Sequence, residues 1–271
     1  MGWKMIEVFQ YNFMLRALAA AAIAGLVLPL VGNFIVPKKL SLLGDSSSHF
    51  TFAALALGAL AGFVNIFMVY AMAVLAVLGT LKLVRSLKMP GDQALAVFLS
   101  LGAATASIAI SMGARLNLNT VLFGSVLAVQ LEELTAGLAI AIFAIAFTAV
   151  KFGRILLYTV NEELARVMGV KIQFYEIMLA VMSGLAIVSG VKIAGVLLVT
   201  ALLVLPTAST SFLATSMKKS ILLSILLGEA ALFIGVISSF YLNIAPGASS
   251  VSILLLFFGL APLLSRLGLK I

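Results

Sequence analysis

Apolar runs of membrane-crossing length recur along the whole chain, separated by short polar stretches. A helix of about 20 mainly apolar residues crosses the hydrocarbon core of a bilayer. The runs that approach or reach this length are 12–36, 44–61, 63–84, 93–112, 133–155, 172–190, 194–215, 220–242 and 249–265. The pattern therefore predicts an all-α polytopic membrane protein with nine transmembrane helices, or eight.

One further apolar stretch, VLFGSVLAV at 121–129, is too short to cross a bilayer. Such a segment is expected to be a broken or re-entrant helix, which is tolerated where it is buried in protein or lines a cavity. No connection between the runs is long enough for a separate soluble domain. Residues 1–271 are therefore predicted to form a single transmembrane domain.

Composition supports lipid as the solvent of this chain. Hydrophobic residues make up 63% and charged residues 10% of the sequence, against about 45–50% and 25% in soluble proteins. The absence of cysteine excludes thiolate metal sites and cysteine nucleophiles. The net charge of +8 does not indicate nucleic acid, because the basic residues form short clusters between the apolar runs.

The lysine and arginine residues are unevenly divided between alternate loops. One set of loops carries Lys38, Lys39, Lys82, Arg85, Lys88, Lys151, Arg154, Arg166, Lys171, Lys218, Lys219, Arg266 and Lys270. The other set carries Lys4, Arg16, Arg115 and Lys192. Because cytoplasmic loops are enriched in these residues, the N-terminus is predicted to lie outside and the C-terminus in the cytoplasm.

The longest loop on the predicted cytoplasmic side contains a short amphipathic helix at 161–170. Asn161 is a good N-cap, Glu162 and Glu163 suit the positive end of the helix dipole, and Gly169 can end the helix. The apolar stripe consists of Leu164, Val167 and Met168. Two interpretations are open: the stripe docks into a groove on another protein, or the helix lies flat on lipid.

Asp45 and His49 are four residues apart, just before an apolar stretch. His49 is the only histidine in the chain. Residues i and i+4 share one face of a helix, and a carboxylate with a neutral imidazole suits Zn²⁺ or Mn²⁺ better than Cu(I). An aspartate at membrane depth costs roughly 2.5–3.5 kcal/mol on insertion scales, which favours a functional role. The structural alternative is an N-capping Asp45 and a buried His49 bonded to a hydroxyl.

Four other membrane-depth residues are candidates for lining a polar path. Pro206 is expected to kink its helix and free a carbonyl, and Thr207 and Ser209 follow it. Glu229 is an acid deep in another run. The alternatives are a kinked packing helix for the first three and pairing with a neighbouring polar group for Glu229.

Four segments of this chain resemble the membrane-spanning permease of ABC importers for divalent transition metals, the zinc/manganese/iron(II) family. They are LLGDSSSH at 42–49, VLFGSVL at 121–127, the run from Gly195 to Thr210 that contains LLVLPTAST, and YLNIAPGA at 241–248. Their order and spacing agree with the family over nearly the whole chain.

The resemblance implies a fold like that of type II ABC importers, in a prokaryotic cytoplasmic membrane. It implies a homodimer in which each subunit docks one of two cytoplasmic ATPases through a coupling helix, matched here by Glu162 to Gly169. It also implies that an external metal-binding lipoprotein or periplasmic protein delivers the ion. The path would run along the dimer axis, where two copies of Asp45 and His49 would supply four ligands.

The expected cargo is Zn²⁺ or Mn²⁺, or Fe²⁺, with no permanently bound cofactor. No phosphate-binding GxxxxGK[ST] loop occurs in the chain, so ATP hydrolysis is expected on a separate subunit.

Two other classes of function compete with this interpretation. A proton-coupled secondary metal carrier would use the membrane acids and His49 but would not need the helix at 161–170. An intramembrane hydrolase would use His49 as a general base for a serine. Against the hydrolase, the sequence pairs no GxSx-type turn with a second histidine.

Overall fold

The computed structural model of the protein describes residues 12–63, 66–115 and 129–270. Within these ranges every regular element is helical. The α-helices are α1 Asn12–Ile35, α2 Leu43–Leu60, α3 Ile66–Ser86, α4 Gly91–Ser111, α5 Leu131–Val160, α6 Glu162–Val167, α7 Ile172–Ala194, α8 Val196–Leu213, α9 Met217–Leu242 and α10 Pro246–Arg266. A short 3₁₀ helix, Val36–Lys38, follows α1 directly.

Each of the nine predicted spans corresponds to one helix, which confirms the all-α polytopic fold. Seven of the described helices are long and apolar enough to cross a membrane. The exceptions are α2 and α8, each of 18 residues, which is about 27 Å of helix against a hydrocarbon core of about 30 Å. Of the nine predicted spans, seven are therefore long helices and two are short ones. The broken helix predicted at 121–129 falls almost entirely on residues outside the described ranges.

Helices α1 and α7 are the most buried of the seven long helices. Glycines let neighbouring backbones approach them closely, as is common between helices in membranes. A Cβ added at Gly32 of α1 would overlap the carbonyl oxygen of Leu203 on α8. One added at Gly184 of α7 would lie 2.9 Å from the Cα of Val74 on α3. Close contacts at small residues therefore assemble the remaining helices around α1 and α7.

The short helix α2 is held between α8 and α4 by the same kind of contact. A Cβ at Gly44 would lie 2.8 Å from the Thr200 hydroxyl on α8, and one at Gly102 of α4 would lie 2.9 Å from the carbonyl carbon of His49. Two tight contacts thus hold the half of α2 that carries Asp45 and His49.

Four of the cation-rich loops meet at one end of the molecule. Glu162, at the start of α6, pairs with Lys38 after α1 and with Arg85 at the end of α3. Lys218, at the start of α9, lies over the Phe152 ring of α5, 5.6 Å from its centroid. These contacts agree with the shared side that the loop charges predict.

Candidate metal path and docking helix

Asp45 is the third residue of α2, and its carboxylate bridges to another helix. The Thr200 hydroxyl on α8 donates a hydrogen bond of 2.6 Å to Asp45 Oδ1. The N-cap of α2 is Leu42, which has no side-chain capping bond. The structure therefore joins α2 to α8 through Asp45, and Thr200 fixes the orientation of the carboxylate.

His49 follows one turn later and is half-buried. In the described part of the chain its side chain makes no hydrogen bond. The alternative of a buried histidine bonded to a hydroxyl is therefore not what the structure shows. The three serines between Asp45 and His49 are buried, and their hydroxyls also lack partners there.

The packing of α1 gives the depth of this site. A Cβ at Gly190 would contact both Leu28 of α1 and Val199 of α8, so Thr200 lies close to the level of Leu28. Leu28 precedes Lys38 by ten residues, which is about 15 Å along a helix. Lys38 belongs to the cation-rich loops and is taken to mark the edge of the hydrocarbon core. Because that core is about 30 Å thick, a site about 15 Å from its edge lies near the midplane.

A single chain offers few metal ligands at this point. Among the described residues, no group of three or more histidine, cysteine, aspartate or glutamate side chains could hold a metal ion. A metal site built on Asp45 and His49 would therefore need further ligands from outside this group of described residues.

The candidates around Pro206 are buried and bonded within their own helix. Thr207 Oγ1 donates to the carbonyl of Leu203 at 3.5 Å, and Ser209 Oγ donates to that of Leu205 at 2.7 Å. These bonds favour the interpretation of α8 as a packing helix, and a path-lining role for these residues stays a prediction.

Glu229 is half-buried on α9 and lies against α1, not α2. A Cβ at Gly25 would be 3.1 Å from the Glu229 carboxyl carbon. Its Oε2 is buried and has no hydrogen-bond partner among the described residues. Pairing of this oxygen with a neighbouring polar group is therefore not observed, and a role in the path stays a prediction.

A buried polar network that the sequence analysis missed joins α1, α8 and α9. Asn33 donates to the Ser224 hydroxyl at 2.6 Å and accepts from the Ser220 hydroxyl at 2.7 Å. The Ser220 hydroxyl also lies 2.8 Å from the Thr210 hydroxyl. The signal for it was available, because Asn33 is an amide deep in the apolar run that forms α1, whereas Asn12, the other amide, stands at its start.

The predicted amphipathic helix is present as α6. Asn161 Oδ1 accepts from the Leu164 backbone N–H at 2.9 Å, as an N-cap does. The helix was expected to continue to Gly169 but ends at Val167. Gly169 has a φ of +75°, and the N–H groups of Gly169 and Val170 bond back to Arg166 and Ala165, so the chain reverses there.

The apolar stripe of α6 faces away from the rest of the chain. Leu164, Val167 and Met168 are 47%, 86% and 66% exposed, whereas Ala165 is fully buried. The helix therefore rests on Ala165 and presents its larger apolar side chains outward.

Glu162 anchors α6 to the membrane helices, a role that the sequence analysis did not anticipate. Its carboxylate lies 3.2 Å from Lys38 Nζ, 3.6 Å from an Arg166 nitrogen and 3.9 Å from an Arg85 nitrogen. Arg85 in turn pairs with Glu176 on α7 at 2.5 Å. Glu163, the other predicted docking acid, is exposed.

Comparison with known proteins places this architecture in a family. Residues 10–265 match the ABC 3 transport family. The chain is 31% identical over 261 residues to the manganese import system permease protein ScaB of Streptococcus gordonii, covering 93% of this chain and 92% of that protein. It is 28% identical to the chelated iron transport system membrane protein YfeD of Yersinia pestis, covering 94% and 86% of the two chains.

A solved structure agrees with these relatives. The structure described as PsaBC from Streptococcus pneumoniae in complex with Fab contains a chain that superimposes with a TM-score of 0.84 at 27% identity, covering 96% of this chain and 95% of that one. The match over almost the whole length confirms the family resemblance of the four sequence segments. The chain belongs to the ABC 3 transport family.

Proposed function

We propose that this chain is the membrane-spanning permease subunit of an ATP-driven importer of divalent transition metal ions, Zn²⁺, Mn²⁺ or Fe²⁺. The names of ScaB and YfeD, which refer to manganese import and chelated iron transport, support this cargo class. The main support is the pair of Asp45 and His49. Thr200 orients the Asp45 carboxylate, and the His49 ring has no hydrogen-bond partner among the described residues. A carboxylate and an imidazole at mid-membrane depth suit a hard or borderline divalent cation.

The path is completed by a second copy of the chain. Two Asp45 carboxylates and two His49 imidazoles around a twofold axis form a four-ligand O₂N₂ site, which one chain alone cannot provide. Such a site must hold the ion only transiently, because conduction requires that the ion leaves as well as enters.

Energy is supplied by two cytoplasmic ATPase subunits, each docked on the exposed stripe of one α6. Glu162 supports this role, because its ion pairs to Lys38 and Arg85 connect a displacement of α6 to α1 and α3. An external binding protein delivers the ion on the opposite side. The N-terminus is outside and the C-terminus is in the cytoplasm of a prokaryotic cell.

Metal flux into proteoliposomes tests the proposed path. Asp45→Asn removes the charge and keeps the shape, and His49→Ala removes the nitrogen ligand. Each variant, reconstituted with its ATPase and binding protein, should lose ATP-dependent flux of Mn²⁺ or Zn²⁺ to the background of empty vesicles. Insertion, dimerisation and ATPase association should remain.

The matched control is Glu132→Gln, which removes one carboxylate from the exposed first turn of α5. Its flux should equal that of the wild type. Wild-type flux in both Asp45→Asn and His49→Ala would mean that the pair is structural, and the path would then have to be sought at Glu229 and around Pro206.

A further inference from the structure

A basic groove opens between α5 and α7, away from Asp45 and His49. Its volume is about 480 Å³, and its walls include Lys151 and Arg154 from α5, Lys171 and Phe174 from the start of α7, and Met168. Helix α5 kinks at Lys151, where the backbone departs from helical geometry with φ −112° and ψ 15°. The groove is therefore formed by the kinked end of one helix and the first turn of another.

The three cations of this groove have no carboxylate partner in the described part of the chain. Lys38, Arg85 and Arg166 at the same end are paired with Glu162, so that carboxylate does not neutralise the groove. No acidic side chain lines the groove. Three converging positive charges without a counterion are the chemistry of an anion site.

The groove lies at the level of lipid headgroups. Helix α5 begins at Leu131, and Lys151 follows twenty residues later, a rise of about 30 Å. With Leu131 at the outer edge of the hydrocarbon core, this distance spans a core of about 30 Å, which puts Lys151 and Arg154 within reach of the headgroups on the other side.

An aromatic surface continues from the groove into the membrane. Phe143, Phe147, Lys151 and Arg154 follow one another at spacings of four, four and three residues, which places them on one face of α5. Phe147 stacks on Phe143 with ring centroids 6.1 Å apart and contacts Phe174 at 6.3 Å. Phe143 is partly exposed and lies about 12 Å along the helix from Lys151.

We propose that this groove binds an anionic phospholipid, with the headgroup phosphate on Lys151, Arg154 and Lys171 and an acyl chain along Phe143, Phe147 and Phe174. Basic pockets between membrane helices on the cytoplasmic side are suited to anionic headgroups. The aromatic surface of Phe143, Phe147 and Phe174 favours a lipid over a cytosolic protein, because it continues from the groove toward the bilayer, where an acyl chain can lie.

Native mass spectrometry of the purified permease tests the site. The permease in detergent is titrated with phosphatidylglycerol, phosphatidylcholine or inorganic phosphate. The wild type should retain phosphatidylglycerol in preference to phosphatidylcholine, and phosphate should not displace it. The variant Lys151→Gln/Arg154→Gln/Lys171→Gln should retain at least about 10-fold less, since each cation near an anionic surface contributes roughly a factor of five in binding.

The control with equal loss of charge is Lys88→Gln/Arg266→Gln/Lys270→Gln, which should bind phosphatidylglycerol as the wild type does. Lys151→Arg/Lys171→Arg keeps the charges and should also bind phosphatidylglycerol. Binding by this variant would show that the loss in the first triple variant comes from the missing charges and not from replacing the side chains at these positions. Equal retention by both triple variants would overturn the proposal, as would displacement by inorganic phosphate. Loss of ATPase association in the first triple variant, with lipid retention unchanged, would assign the groove to protein docking instead.

Discussion

At the scale of single residues, the hydrogen bond from Thr200 to Asp45 has the most direct functional consequence. The hydroxyl donates to a carboxylate at 2.6 Å between two helices, and hydrogen bonds to charged groups contribute roughly 1.5–3 kcal/mol. Without this donor, the Asp45 carboxylate loses the hydrogen bond that fixes its orientation in the proposed path.

Thr200→Val should therefore weaken transport without abolishing it. The substitution keeps the branched shape that packs against Gly44 and removes only the O–H donor. The KM for the metal in reconstituted flux assays is expected to rise about 10-fold, in line with the loss of one charged hydrogen bond. Thr200→Ser, which keeps the hydroxyl, should behave as the wild type; an unchanged KM in Thr200→Val would remove Thr200 from the site.

At the scale of elements, α6 combines a buried anchor with an exposed apolar stripe. Ala165 and the Glu162 ion pairs hold it to the membrane helices, and Asn161 and Gly169 define its ends. Leu164, Val167 and Met168 face outward, and fully burying an apolar side chain of this size stabilises an interface by roughly 1.5–3 kcal/mol. The stripe thus has the exposed apolar area that the proposed docking of an ATPase requires.

Leu164→Glu/Met168→Glu should weaken association with the ATPase by about 10-fold or more, because it replaces two apolar contacts with charges that resist desolvation. Co-purification and titration of the ATPase in detergent measure the effect. The matched control is Leu87→Glu/Leu267→Glu, which charges two exposed leucines that are 63% and 77% accessible. Undiminished association of the α6 variant would instead support a helix lying on lipid.

At the scale of the whole molecule, the proposed path exists only between two copies of the chain. One chain brings Asp45 and His49, and its described residues offer no third ligand of the histidine, cysteine, aspartate or glutamate type. A twofold arrangement makes the two half-sites equivalent, so a defect in one half should affect the whole path.

A tandem fusion of two permease chains tests this arrangement. With Asp45→Asn and His49→Ala in one half only, the O₂N₂ site keeps two of its four ligands. ATP-dependent metal flux should then fall well below half that of the wild-type tandem. Placing the same two substitutions in the other half should give the same result, and a flux of half the wild-type value would indicate two independent paths.

The fold class, the approximate position of each described membrane helix and the caps of α6 all follow from the sequence. These properties are local: the length of an apolar run, the spacing of a stripe, and the preference of Asn161 and Gly169 for helix ends. The proximity of Asp45 and His49 was predictable for the same reason, since one helical turn separates them.

The side chains that these residues meet are set by the packing of the helices. Thr200 lies 155 residues from Asp45 in the chain, and Glu162 lies 124 residues from Lys38. Membrane helices are apolar on most faces, so hydropathy does not show which face meets which neighbour. Contacts at glycines such as Gly32, Gly44 and Gly102 select those faces, because the missing side chain lets backbones approach closely enough to bring distant polar groups within hydrogen-bonding distance.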